Sequence, residues 1–283
     1  MHGSLIIIES SLSDLNPSER RVAEYILEHP DEIINYSVQK LADLTNVSVA
    51  TVVRLSKKLK CKGFQDLKLK IAYDLNEPGN YQRGYAEIDK DYSIEEVTQS
   101  VFHNNTKTLR DTERILSTEN IKHAFELIVN SRKTCIYGIG ASALIAQDFK
   151  QKLTRIDYWC DVGNSFDEQV TLSANLSSED VVIAISSSGQ TKDIVNSTQL
   201  AKEKGAKVIS ITKYGNNPIS NLSDVQLFVS SSEKAKRSGA MSSRIAMLSI
   251  IDILYICIAS NDYLSNRQKL ENTRKAIKNN KFK

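Results

Sequence analysis

Apolar residues recur along this chain in two rhythms that hardly mix, a helical one first and a strand-like one later. A capping residue, a proline at the first helical position and an acid in the first turn, Asn16-Pro17-Ser18-Glu19, open a helix predicted to end near His29-Pro30. Residues 37–62, SVQKLADLTNVSVATVVRLSKKLKCK, read as two short amphipathic helices separated by Thr45-Asn46-Val47, with Ser48 capping the second. Further helices are expected at 65–75, at 93–116 behind the capping-box start Ser93-Ile94-Glu95-Glu96, and at 118–130. From there, short β-branched runs at 134–137, 156–160, 181–185, 207–212 and 225–229 alternate with helical patterns at 142–153, 166–174 and 191–204. A last helix is expected at 242–260. Near-continuous apolar strands with helices between them imply a five-stranded parallel sheet covered on both faces.

Length and local composition divide this pattern. A chain of 283 residues suggests two domains. We read an all-α domain at 1–76, a polar linker at 77–92, an α/β domain with leading helices at 93–262, and a basic tail at 263–283. The tail carries seven cations against Glu271 and reads as a frayed helix. The apolar run at residues 5–8 is too short for a signal-peptide core. No stretch reaches the ~18 apolar residues of a membrane span. The longest, 245–258, is broken by Ser249 and Asp252 and reads as a buried helix. Cys61, Cys135, Cys160 and Cys257 show neither metal-ligand spacing nor a paired framework, so buried thiols in a reducing cytosol are expected. The chain reads as cytoplasmic, with no membrane, metal or cofactor required.

Charge adds what periodicity leaves out. The chain as a whole carries a net +3, which predicts nothing, but residues 1–43 hold three basic against eight acidic residues. Residues 44–73 hold seven basic residues against Asp66 alone. A clustered excess makes an electrostatic footprint for phosphates where a diffuse one does not. At 100° per residue, Val49, Val52, Val53, Leu55 and Leu59 share one arc of the second short helix, and Ala50, Thr51, Arg54, Lys57 and Lys58 the other. A short helix with Ser48 at its start, small polar residues next and cations along it suits a DNA major groove. The plainer reading is a solvated helix face.

Ligands of an open parallel sheet bind at the carboxyl ends of strands. Two such ends here are unusual: Gly138-Ile139-Gly140-Ala141-Ser142 and Ser186-Ser187-Ser188-Gly189-Gln190-Thr191. Glycines let the backbone approach a ligand, and hydroxyls with free N–H groups at a helix start form a phosphate site without a cation. Gly138-x-Gly140-x-x-Ala143 with Asp161 beyond also nearly fits a dinucleotide fingerprint, though no hydride-transfer constellation accompanies it.

Together the two halves resemble the RpiR family of bacterial transcription regulators. Residues 16–75 look like its helix-turn-helix, including SVATVVRLSKKL and Lys62-Gly63-Phe64, while GIGAS and ISSSGQT look like the two signature loops of a sugar isomerase (SIS) domain. Lys60-Cys61 departs from the leucine-glycine-like helix end of that family. The resemblance implies operator DNA and a phosphosugar effector as partners, a dimer or tetramer, and control of carbohydrate-metabolism genes. By motif, it assigns Ser142, Ser186, Ser188 and Thr191 to the sugar phosphate, with Gly140, Ala141 and Ser187 in backbone or secondary contacts. Residues 237–244 resemble the approach to the last helix, where Ser243 or Arg244 touches the ligand; a surface or interface ion pair is the alternative for Arg244.

SIS domains also occur in isomerases, which need an acid or base over the sugar carbons. Catalytic relatives place a glutamate on the final helix or a histidine near the sugar, whereas residues 241–260 contain neither, only Asp252. His2, His29, His103 and His123 are scattered, and Glu168 is the best remaining carboxylate. Binding without turnover is therefore the preferred expectation, with no catalytic residue assigned; a phosphosugar isomerase is the alternative.

Overall fold

The structure, a computed structural model, describes residues 4–75, 93–230 and 241–278. The expected linker at 77–92 and the residues 237–240 of the approach to the last helix lie outside the described residues. The chain divides into two compact units: Met1–Ile115 with Tyr214–Asn216 and Ser230–Ser242, and Leu116–Lys213 with Asn217–Val229 and Ser243–Lys283.

The first unit is helical. Helix α1 (Ser4–Ser11) and a 3₁₀ turn (Leu12–Asp14) precede α2 (Pro17–Glu28), α3 (Pro30–Ile33), α4 (Val38–Leu44), α5 (Val49–Lys58), α6 (Phe64–Leu75) and α7 (Ile94–Ile115). Leu5 and Ile8 of α1, Val22 and Ile26 of α2, Leu41 of α4, Val52 and Leu55 of α5, and Leu67 and Ile71 of α6 form one core. Burying each such side chain contributes about 1.5–3 kcal/mol relative to leaving it in water. Helix α1 was not predicted. Its apolar residues run consecutively, so they give no amphipathic period, yet the run is buried and the Leu5 N–H donates to Asp74 Oδ2 at 3.1 Å.

Helix α7, expected with the second domain, belongs to the first unit. Its buried face is polar (Asn104, Thr108, Asp111 and Thr112), and Thr112 Oγ1 accepts the Ser230 N–H at 3.0 Å. Burial pushes the Asp111 carboxyl up to about 6, opposed by Lys107 and Arg114 and reinforced by Glu9 and Asp74.

The second unit is an α/β layer structure. Helix α8 (Thr118–Val129) leads into β1 (Lys133–Tyr137), α9 (Ala141–Thr154), β2 (Cys160–Gly163), α10 (Phe166–Ala174), β3 (Asp180–Ile185) and α11 (Lys192–Glu203). Then come β4 (Lys207–Lys213), α12 (Pro218–Leu222), β5 (Val225–Val229), α13 (Ser242–Asn261) and α14 (Tyr263–Lys278). The five strands are parallel in the order β2-β1-β3-β4-β5. Alternate residues serve opposite faces. Ile136, Ile183 and Ile209 pack with Ile128, Phe149, Ile250 and Leu254, whereas Cys135, Tyr137, Val182 and Ala184 pack with Ile194, Ala201 and Ile219. Burial pushes the thiol of Cys135 up to about 12 and that of Cys160 to about 11, so both are inert packing groups.

Three details differ from expectation. The second strand begins at Cys160 and not Ile156, because Asp157 takes a left-handed conformation (φ 59°) and the Tyr158 N–H closes back on the Leu153 carbonyl at 3.0 Å. Ile156 is still buried, at 2 % exposure, but from a helix end. Helix α13 is, by length and composition, long and apolar enough to cross a bilayer. One face of it, however, lies in the core of this unit through Ala246, Met247, Ile250, Ile251, Leu254 and Ile258. The tail, read as frayed, forms the regular helix α14 up to Lys278.

The end of α5 is also settled by backbone geometry. Lys60 sits at φ 57°, and the Cys61 N–H donates to the Ser56 carbonyl at 2.9 Å, so a lysine occupies the left-handed position that glycine usually fills. Glycine there relieves about 1–2 kcal/mol of left-handed strain and adds about 0.5–1 kcal/mol of chain entropy. Lys60→Gly should therefore raise the unfolding midpoint of the first unit, by a net gain of up to about 1.5 kcal/mol; a lower midpoint in thermal denaturation would contradict this account of the helix end.

Candidate functional site

In the first unit the turn between α4 and α5 is built by local hydrogen bonds. Asn46 adopts φ 52°, the Val47 N–H donates to the Ala42 carbonyl at 2.9 Å, and Ser48 Oγ accepts the Thr51 N–H at 3.2 Å to start α5. Ser48, Ala50, Arg54, Lys57 and Lys58 are exposed along α5, as expected. Thr51 is not: it is 6 % exposed, with its hydroxyl 3.0 Å from Ser48 Oγ. The wheel placed Thr51 on the outer arc, but its side chain is buried with its hydroxyl held at the capping Ser48. Two of the exposed cations share a partner that the sequence reading missed. Arg54 Nε donates to Glu19 Oε1 at 3.1 Å, and Lys58 Nζ donates to Glu19 Oε2 at 3.3 Å.

In the second unit the strand order reverses at β1. The chain leaves β1 for β2 on one side and returns to β3 on the other, so the loops after β1 and β3 part at adjacent strand ends, Tyr137 lying level with Ala184. Such a switch point opens a crevice at the carboxyl edge of a sheet. It brings together the two loops containing Gly140, Ala141 and Ser142 and Ser186, Ser187, Ser188 and Thr191.

Each loop ends in a helix whose N-terminus lacks a side-chain cap: Gly140 (φ 61°) precedes α9 and Thr191 precedes α11. By contrast α2, α4, α5, α8, α10 and α12 are each capped by an Asn or Ser side chain. Such starts leave first-turn N–H groups without a side-chain acceptor, and the helix dipole favours an anion there, although in α9 the Ser142 and Ala143 N–H groups already donate to the Ile139 and Gly140 carbonyls at 3.2 and 3.1 Å.

The second loop is held tightly. Ser186, 2 % exposed, accepts the Gly189 N–H at 3.2 Å and lies 3.2 Å from Thr191 Oγ1. Ser188 is exposed and its Oγ accepts the Gln190 N–H at 3.2 Å, while the Ser187 carbonyl accepts the Lys213 N–H. Asn217 braces this loop from behind: its side chain caps α12, donates to Thr212 Oγ1 at 3.1 Å, and occupies the space a Cβ on Gly189 would need. Gln169 braces the first loop, donating at 2.9 Å to the Gly163 carbonyl that also accepts the Gly138 N–H. The helix start Asn217-Pro218-Ile219-Ser220 was not among the expected elements, and nothing in the sequence ties it to the loop.

Arg244 lies half-buried in the first turn of α13, with no ion pair or hydrogen bond to either loop among the described residues. Glu168 accepts the Asn164 N–H at 2.8 Å at the start of α10. Asp252, read from the sequence as set among apolar residues, is exposed and ion-paired to Lys152 at 2.5 Å. Among the described residues no group of three or more His, Cys, Asp or Glu side chains converges on a metal position.

Residues 2–78 match the family model for the rpiR-type helix-turn-helix domain, and 127–257 match the model for the SIS domain. An HTH-type transcriptional regulator of Caldanaerobacter subterraneus subsp. tengcongensis is 38 % identical over 96 % of each chain. The chain belongs to the RpiR family. The HTH-type transcriptional regulator HexR of Escherichia coli is 32 % identical, covering 97 % of this chain and 94 % of its own. The structure of Vibrio vulnificus NanR complexed with ManNAc-6P matches 99 % of this chain and all of that one, with a TM-score of 0.62 at 23 % identity, and so speaks for the fold. This RpiR-family chain is thus a transcriptional regulator built from a helix-turn-helix domain and a SIS domain.

The bracing of the second loop makes a contrast between two glycines. A Cβ at Gly189 would lie 2.0 Å from Asn217 Oδ1, whereas one at Gly140 meets nothing within 4 Å, although both have positive φ. Gly189→Ala should destabilise the second unit by about 1–3 kcal/mol more than Gly140→Ala in thermal or urea denaturation. Equal losses would contradict the packing of Asn217 against the loop.

Proposed function

We propose that this regulator binds operator DNA through α5 as a homo-oligomer in the cytoplasm, and that a phosphorylated sugar seated between the loops after β1 and β3 changes its grip on that DNA. It acts by binding without turnover. The observation that carries the ligand reading is the pair of uncapped helix starts at adjacent strand ends, lined by Ser142, Ser186, Ser188 and Thr191. Phosphate oxygens satisfy such N–H groups and hydroxyls without a cation, and the sugar is left to side chains around the rim. That NanR, on the same fold, is complexed with ManNAc-6P adds support. On the DNA side, Ser48, Ala50, Arg54, Lys57 and Lys58 form the contacting set. Thr51 shapes the helix start. Arg244 is assigned to the rim of the sugar site.

Two variants test the two halves. A thermal-shift screen should include hexose 6-phosphates, pentose 5-phosphates and N-acetylated amino-sugar 6-phosphates, with inorganic phosphate and the free sugars as controls. At least one sugar phosphate should raise the midpoint where its free sugar does not. Ser188→Ala should weaken that ligand by about 1.5–3 kcal/mol, the worth of a hydrogen bond to a charged group. An unaltered response in that variant counts against the loop assignment, and turnover of the ligand would move the reading to an isomerase. For the DNA half, Arg54→Ala should cost about 1–3 kcal/mol of discrimination between cognate and mismatched duplexes in an anisotropy titration. Unchanged discrimination would remove α5 from the DNA interface.

A further inference from the structure

Glu19 is an unusual neighbour for a DNA-contacting helix. It stands at the third position of α2, is 3 % exposed, and closes a capping box with Asn16. Its two oxygens then divide between two cations of α5, Oε1 toward Arg54 Nε and Oε2 toward Lys58 Nζ. Lys58 is further tied to the Asp14 carbonyl at 2.7 Å. Burial pushes the Glu19 carboxyl up, but the hydrogen bonds from Lys58 and the Asn16 N–H and the charges of Lys58 and Arg54 outweigh it and hold the group below the usual carboxylate range. It is therefore an anion at neutral pH.

The pairing is lopsided. The carboxylate is buried, while the side chains of Arg54 and Lys58 are 62 % and 45 % exposed. A buried carboxylate needs such partners, yet a carboxylate beside a phosphate backbone repels it. That cost points beyond a purely structural role. A guanidinium held by Nε keeps its two Nη groups for another partner, and those Nη groups form the fork that reads guanine O6 and N7. Among the described residues neither Nη group of Arg54 has a recorded partner.

We propose that Glu19 is a positioning residue for base recognition: it anchors Arg54 by Nε so that the Nη fork is presented to a base edge. This rests on the reading of α5 as the DNA-contacting helix. Arg54 then specifies sequence, and Lys57 with Lys58 serves the backbone. Pre-anchoring also spares the ordering of a long side chain on binding.

The test is a double-mutant cycle on the full chain, using a duplex selected from a random library by the wild-type protein and an unselected duplex of equal length. Glu19→Gln keeps the capping box, since glutamine serves at that position. Loss of a negative charge alone would tighten binding to every duplex. The proposal predicts the opposite for the selected one, with the selected-to-unselected affinity ratio falling about tenfold. In an Arg54→Ala background the same substitution should change the ratio no further, and Lys58→Ala should weaken binding to both duplexes alike. Should Glu19→Gln fail to fold by circular dichroism, Glu19→Asp, which keeps the charge but shortens the reach, should lower the ratio to a lesser degree. Additive losses from Glu19→Gln and Arg54→Ala, or an unchanged ratio in a folded Glu19 variant, would overturn the proposal. Full discrimination by Arg54→Ala would overturn it too, by removing the reading of α5 on which it rests.

Discussion

Every helix start leaves backbone N–H groups without partners, and this chain meets that constraint in more than one way. Many of the helix starts are closed by a side chain: Asn16 on α2, Ser48 on α5, Ser165 on α10 and Asn217 on α12. Where the strand order reverses, the chain places glycine and hydroxyls instead, and α9 and α11 begin without a side-chain cap. These two ends flank the switch point, and the proposed phosphate site rests on them.

Caps also shape the DNA-contacting unit. Ser48 starts α5 at a defined residue, which fixes which side chains face outward and turns Thr51 in. The capping box at Asn16 places Glu19 at the third position of α2, where its remaining bonding capacity reaches Arg54 and Lys58. One local motif thereby sets both the start of a core helix and the pose of two exposed cations.

Much of this was legible in the sequence, and the misses share a cause. Strands β1, β3, β4 and β5 and most helices follow from hydrophobic period and capping residues, which are local signals. Helix α1 escaped because a consecutive apolar run has no period, and β2 was placed early because Ile156 is apolar yet belongs to a helix end closed by a left-handed Asp157. The loops could be found because glycine and serine at strand ends are unusual in themselves. Asn217 behind Gly189 and Glu19 beneath Arg54 could not, since each acts across more than twenty residues of chain and shows only in the fold; Gln169 reaches Gly138 only through the Gly163 carbonyl.

The account stands on a coupling between two binding events. If a sugar phosphate alters operator affinity by a factor, operator DNA must alter the affinity for that sugar phosphate by the same factor. The direct measurement is a pair of titrations: operator binding with and without saturating ligand, and ligand binding with and without saturating operator. The account predicts equal shifts in both, in the range of about 5–150-fold. A ligand that binds tightly between the loops yet leaves operator affinity unchanged would contradict it.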